Sequence, residues 1–224
     1  DLVVASSACM AGLGSLKMAG FAIPEEVIAS GVKYFEESSE GGTVGYSPRQ
    51  GQKGWGHAGR ASGAAFGMWK LGVTGKFFER VNKFVKQGVK TVHLDHASPT
   101  LHYLWGGLYA YLLGPEAWTE FKKEYLDLWL AMQQADGSVL CPTDADVKFS
   151  LGMDTDAEVG PNYPTAVFAL VFASPLERTR LHRLKPSKGG KSIATGKGLG
   201  LAKKPGARPF LGIRAESFAG SLEV

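Results

Sequence analysis

Three times in its first 140 residues the chain writes a helix crowded with small residues and follows it with an amphipathic helix. A repeated helix pair constrains architecture more than any single residue does, because each pair must bury its apolar face against the next. The first pair is expected over residues 3–19 and 25–38, with Ala5, Ser6, Ser7, Ala8, Ala11, Gly12 and Gly14 in its first helix. The second is expected over 57–71 and 76–88, and the third over 99–113 and 115–134. A last helix over 163–173 begins a fourth pair. Gly14, Gly67 and Gly107 fall at matching places, 53 and 40 residues apart, which is the range of helical-hairpin repeats. Two of the three units close on glycine-containing polar turns, Glu40-Gly41-Gly42-Thr43-Val44-Gly45-Tyr46-Ser47 and Gln133-Gln134-Ala135-Asp136-Gly137-Ser138-Val139.

Apolar stripes support the second helices. Pro24 suits a helix start, where its missing N–H is no loss, and Val27, Ile28, Val32 and Phe35 follow on one face. Phe77, Val81, Phe84 and Val85 do the same in the next unit. Trp118, Phe121, Tyr125, Leu128, Trp129 and Met132 make the longest stripe. In the helix before it, Leu101, Leu104, Trp105, Leu108 and Leu112 read as a single line. Cys9 sits on an apolar helix and reads as core. No strand is expected before residue 205.

The net charge of +4 belongs to one segment. Residues 185–208 hold six Lys, one Arg and no acid, whereas residues 1–184 hold 17 basic and 19 acidic side chains. The basic pI therefore gives no argument for a nucleic-acid-binding fold, and no nucleic acid is expected as a partner. Residues 185–208 read as a flexible linker. Beyond it, Arg208-Pro209-Phe210-Leu211-Gly212-Ile213-Arg214 and Gly220-Ser221-Leu222-Glu223-Val224 read as strands that open a second domain over 209–224. Both ends read as cuts in a longer chain. No run of eighteen apolar residues exists, so no transmembrane segment is expected. Two cysteines are too few for a disulfide scaffold or a Cys-based zinc site.

The hairpin repeat, with its Gln-Gln-x-Asp-Gly-Ser and Glu-Gly-Gly-x-x-Gly-Tyr turns, resembles the prenyltransferase/squalene-cyclase repeat superfamily over residues 1–175. The resemblance implies an all-α fold, an α/α toroid in which inner helices ring a central cavity and outer helices surround them. Residues 1–184 would be a partial ring. The family spans cyclases, protein prenyltransferase subunits and thioester-containing proteins, so fold alone does not name the chemistry. The Phe210-Leu211-Gly212-Ile213 segment resembles the opening of a PDZ domain, which would suit a bacterial envelope or extracellular protein.

Three sets of residues could carry chemistry. Cyclases of the squalene-hopene type protonate an alkene with an Asp-x-Asp-Asp motif, where neighbouring carboxylates keep one acid protonated. Here Asp154-Thr155-Asp156 is followed by Ala157, so Asp154 or Asp156 would act as the acid in a shortened motif. A solvated inter-helix loop is the plainer account of these acids. His93, His96 and His102, with Asp95 between them, could form a zinc site of a metal-dependent hydrolase. The Asp-x-Cys pair of protein prenyltransferases is missing, and the simpler roles are a loop His93, a helix-capping His96 and a helix-face His102. The loop 43–60 gathers Tyr46, Arg49, Trp55, His57 and Arg60 among glycines, and could rim the mouth of a ring; His96, His102 and Trp105 are further candidate ligand-binding residues. The other account is a structural connector. Gly190-Lys191-Ser192 is not a P-loop, since Lys185 stands where the upstream glycine belongs.

These observations favour a binding or scaffolding module for an apolar small molecule or a peptide, with no metal and no cofactor. A terpenoid cyclase or prenyltransferase-like enzyme using Asp154 or Asp156, and a His93/His96/His102 hydrolase, remain as alternatives.

Overall fold

A computed structural model describes residues 2–54, 56–94, 98–140 and 159–176. Trp55, Asp95, His96, Asp154 and Asp156 lie outside the described residues, as do the linker and the 209–224 segment. What is described is mostly helical, with one small hairpin. In chain order the elements are α1 (Val3–Met18), α2 (Glu25–Glu37), β1 (Ser39–Glu40), β2 (Thr43–Val44), α3 (Ala58–Leu71), α4 (Lys76–Gln87), a 3-10 helix (Val89–Leu94), α5 (Pro99–Leu113), α6 (Pro115–Ala131) and α7 (Asn162–Ala173). A short 3-10 turn (Ser174–Leu176) ends the described chain.

Local signals set most boundaries. Ser98 caps α5 by accepting a hydrogen bond from the Leu101 N–H at 3.1 Å, and Pro99 fills the first helical position. Gly72 ends α3 at φ +78°, a left-handed geometry that glycine adopts without a side-chain clash. The strand pair was not expected from sequence. Gly41 (φ +61°) and Gly42 (φ +94°) make a two-residue turn, which pairs Ser39 with Val44 and Glu40 with Thr43 antiparallel. Such a short pair carries too little alternation to register as a strand. Residues 132–134 leave α6 early and enter the polar turn, where Asp136 accepts from the Ser138 N–H (2.9 Å) and hydroxyl (2.7 Å). Those two bonds hold the Asp136 carboxyl below the usual carboxylate range. The Val139 N–H then donates to Thr165 Oγ1 at 2.8 Å, tying this turn to α7.

The small-residue helices α1, α3, α5 and α7 pack one on the next as a row. Contacts fix their direction. A side chain built on Gly14 would meet Lys70, one on Gly67 would meet Met10 and one on Gly63 would meet Ser7, so α1 and α3 run parallel. Gly59 meets His102 and Gly63 also meets Trp105, so α3 and α5 run parallel too. Gly107 receives Val171 of α7. The second helices α2, α4 and α6 each pack back on their own partner. Small residues make the row possible, because backbones can approach only where no Cβ intervenes.

Several expected stripes are corrected by this arrangement. Every residue of α3 except Trp69 is buried. α5 is buried at His102, Tyr103, Gly106, Gly107, Tyr109 and Ala110, whereas of its expected line only Trp105 and Leu108 are buried and Leu101, Leu104 and Leu112 are half-buried. A helix flanked on three sides has no single apolar face. In α2, Ile28 and Phe35 are buried but Val27 is 41% exposed. In α6, Trp118, Phe121, Tyr125 and Trp129 are buried while Leu128 is exposed. Cys9 is exposed rather than core, since α1 buries the face carrying Val3, Ser7, Met10, Ala11 and Gly14. The core has two lobes. One is centred on α3, and the other is an aromatic cluster of α5, α6 and α7.

Candidate functional site

The loop 43–57 folds onto the N-terminal ends of α1 and α3. Its backbone is pinned at Tyr46, whose carbonyl accepts from the Val3 N–H at 3.1 Å and whose N–H donates to the Gln52 carbonyl at 3.0 Å. Gly45 lies so close to the Gln52 and Lys53 carbonyls that any Cβ there would overlap them. Ser47 bonds to the Gln52 side chain and accepts from the Arg49 N–H at 3.2 Å. The loop is therefore a tight structure held by its own polar groups.

Several of the sequence-predicted residues meet here. Arg60, in the first turn of α3 and only 2% exposed, places its guanidinium 5.1 Å from the centre of the half-buried Tyr46 ring. This is cation–π distance, and burial strengthens such a contact. His57 precedes α3, and its carbonyl accepts from the Ala61 N–H at 2.9 Å. His102 is buried against Gly59, and Trp105 packs one turn further along, against Gly63 and 5.6 Å from the Phe66 ring. Tyr46, His57, Arg60, His102 and Trp105 thus follow the N-terminal half of α3. The Arg49 side chain is exposed. Arg49 is one of the groups that lower the Tyr34 phenol, whose pKa burial raises on balance, with the Ser6 and Ser38 hydroxyls acting in the same sense as Arg49.

His93 departs from the loop expected for it. It belongs to the 3-10 helix Val89–Leu94, and its Nδ1 lies 3.1 Å from the Tyr125 hydroxyl. That hydroxyl donates to the Val89 carbonyl at 3.1 Å, so it is placed to accept from His93 Nδ1 when that nitrogen carries a proton. Among the described residues no three His, Cys, Asp or Glu side chains converge as metal ligands. Asp154, Asp156, Trp55 and His96 lie outside the described residues.

Sequence reasoning missed a polar pair at the other end of α1 and α3. Lys70 is 2% exposed, donates to Ser15 Oγ at 2.6 Å, and sits 5.3 Å from the Phe66 ring centre. Burial pulls its pKa down to about 8. Lys17 reaches across from α1 to the Leu71 carbonyl at 3.0 Å, and pairs with Glu25 at 3.5 Å. The sequence carried only half of this signal, a lysine between Trp69 and Leu71 one turn beyond Gly67; its partner Ser15 lies 55 residues away.

Open space is scarce among the described residues. The aromatic cluster of Tyr103, Phe121, Trp129, Phe168, Val171 and Phe172 leaves no room for a water-sized molecule. A shallow groove of about 550 Å³ lies on the outer surface, lined by Lys90, Pro115, Glu116, Thr119, Glu120 and Lys123. Two surface ion pairs involve its lining residues, Lys86 to Glu116 at 3.1 Å and Lys90 to Glu120 at 3.4 Å. No helix of the described residues is long and apolar enough to cross a membrane. Comparison with family models, with curated proteins and with solved structures returned no match for this chain.

Proposed function

We propose that residues 1–184 form part of an α/α toroid of the prenyltransferase/squalene-cyclase repeat kind, acting as a binding or scaffolding module for an apolar or peptide ligand. The observation that carries this reading is the parallel row α1, α3 and α5, with each amphipathic helix packed back on its own partner. That order supports inner and outer helices of a ring. The ligand would meet the chain at the loop 43–57, where Tyr46 is half-buried over Arg60 and Arg49 is exposed. Aromatic and arginine side chains on a braced loop are favourable anchors, because little motion is lost on binding.

The test is titration of the full chain with a peptide library and with squalene and farnesyl diphosphate, followed by amide NMR shifts. Shifts should gather at residues 43–60, and Arg49→Ala should weaken the affinity by roughly tenfold, the loss of about 1.4 kcal/mol. Shifts that avoid this loop would refute the site. Turnover of squalene or a prenyl diphosphate that is lost in Asp156→Asn would replace the scaffold by the cyclase reading.

A further inference from the structure

A hydroxyl and an amine meet where α1 and α3 end. Ser15 stands in the last turn of α1 and Lys70 in the last turn of α3, with the Lys70 Nζ 2.6 Å from Ser15 Oγ. Gly14 brings the two backbones together, since a Cβ there would stand 3.1 Å from the Lys70 carbonyl carbon. Groups fixed on packed helices lose little freedom in reaching a reactive geometry.

The two partners sit in different surroundings. Lys70 is 2% exposed, and its Nζ lies 5.3 Å from the Phe66 ring centre. Ser15 is half-buried, so it is the member of the pair that solvent reaches. Among the described residues no carboxylate pairs with Lys70, whereas Lys17 on α1 pairs with Glu25 at 3.5 Å. A buried amine without a counter-ion favours its neutral form. At a pKa of about 8, about a tenth of the Lys70 side chains are neutral at pH 7. The same close contact serves both forms. As an ammonium, Lys70 donates to Ser15 Oγ, and the Ser15 hydroxyl donates to the Ala11 carbonyl at 2.9 Å. As an amine, Nζ carries a lone pair, and the Ser15 hydroxyl can turn from Ala11 to donate to it. A serine hydroxyl with a base in hydrogen-bond reach is an activated nucleophile.

We propose that Ser15 is a nucleophile that takes the acyl group from an activated ester or thioester, with Lys70 as its base. As the bond from Ser15 Oγ to the acyl carbon forms, the hydroxyl proton passes to Lys70 Nζ. The bond from the acyl carbon to the leaving oxygen or sulfur then breaks, and the leaving group takes that proton from Lys70. The products are O-acyl-Ser15 and a free alcohol or thiol, with Lys70 neutral again. The substrate class follows from the donors at this end of the row. The Gly72 N–H is spent on the Trp69 carbonyl and the Val73 N–H on the Met68 carbonyl, so neither serves a developing oxyanion. Acyl donors with good leaving groups need that help least, and amides need it most. The inference does not rest on the ligand proposed for the loop 43–57, which lies at the opposite ends of α1 and α3. A loop that binds nothing would leave the acylation of Ser15 intact, and an inert Ser15 would leave the loop's ligand in place.

Incubation of the full chain with p-nitrophenyl acetate at pH 8, followed by digestion and mass spectrometry, tests it. Wild type should carry an acetyl group on Ser15 that hydroxylamine removes, as it does from an oxygen ester and not from a lysine amide. Lys70→Met keeps the buried stem without the amine; it should stay folded by circular dichroism and acetylate Ser15 about 100-fold more slowly. Ser15→Ala should lose the hydroxylamine-sensitive acetyl group. Acetyl groups on Lys70 itself, or on surface lysines and Cys9 with none on Ser15, overturn the proposal. So does acetylation of Ser15 at the same rate in Lys70→Met and wild type, which would make the lysine a structural partner only.

Discussion

Replacing Gly14 by alanine should destabilise the protein, although the same change two residues earlier should stabilise it. A Cβ at Gly14 would overlap the Lys70 Cβ and stand 3.1 Å and 3.3 Å from the Lys70 carbonyl carbon and Cα, both of them backbone atoms that cannot rotate away. Relief requires α1 to withdraw from α3 by on the order of 0.5–1 Å, a gap that forfeits a quarter to a half of each dispersion contact along the seam. The Met10–Gly67 and Ser7–Gly63 approaches would open with it. Overpacking of this kind costs about 1–3 kcal/mol, and the better helix propensity of alanine returns about 1. At Gly12 nothing lies within 4 Å, so only the gain of about 1 kcal/mol remains. The two variants should differ by roughly 1–3 kcal/mol, or about 2–12 °C in Tm for a chain of this size. Urea unfolding followed by circular dichroism measures this, with unchanged m-values as the check on two-state behaviour. If Gly14→Ala and Gly12→Ala move the midpoint equally and in one direction, α1 does not dock on α3 through Gly14, and the helix row is wrong.

Two further outcomes follow from buried groups. Lys70 has a folded pKa of about 8 against 10.5 unfolded, so between those values the unfolded chain holds a proton that the folded chain lacks. Stability should therefore rise with pH through that window, and Lys70→Met should remove this part of the rise and add about 1–2 kcal/mol at pH 7; identical pH slopes in the two proteins would show that Lys70 is solvated. In α6, Phe121 is fully buried and Leu128 is 42% exposed, although both lie on the stripe read from sequence. Phe121→Ala should cost about 3–5 kcal/mol in chemical denaturation and Leu128→Ala under about 1, and similar losses would mean that α6 presents another face to α5.

Part of the candidate site was legible without coordinates. Residue types on the loop 43–60 pointed to Tyr46 and Arg60, and the structure brings those two together. The Ser15–Lys70 pair was not found, because its partners are 55 residues apart and meet only through the packing of α1 on α3. His93 was read as a loop residue because a 3-10 turn has no helical periodicity long enough to see. Cys9 was misplaced for a related reason. A helix of alanines, serines and glycines has almost no apolar asymmetry, so its sequence does not say which side faces the core.

Local chemistry was enough to determine the described α-helices, though not the β1–β2 pair or the 3-10 helix: caps, prolines, glycine turns and apolar stripes fix where α1 to α7 begin and end to within a few residues. These signals act within a few residues of chain, so one sequence contains them whole. Tertiary structure alone decided which faces are buried. α3 and α5 lie between two neighbours of the row and an amphipathic partner, so their polar Arg60, Lys70 and His102 are covered along with most of their apolar residues. α1 and α7 stand at the ends of the row among the described residues, and their outer small-residue faces meet solvent. A small side chain permits close approach from either side, and only the position of the helix in the row settles which side is used.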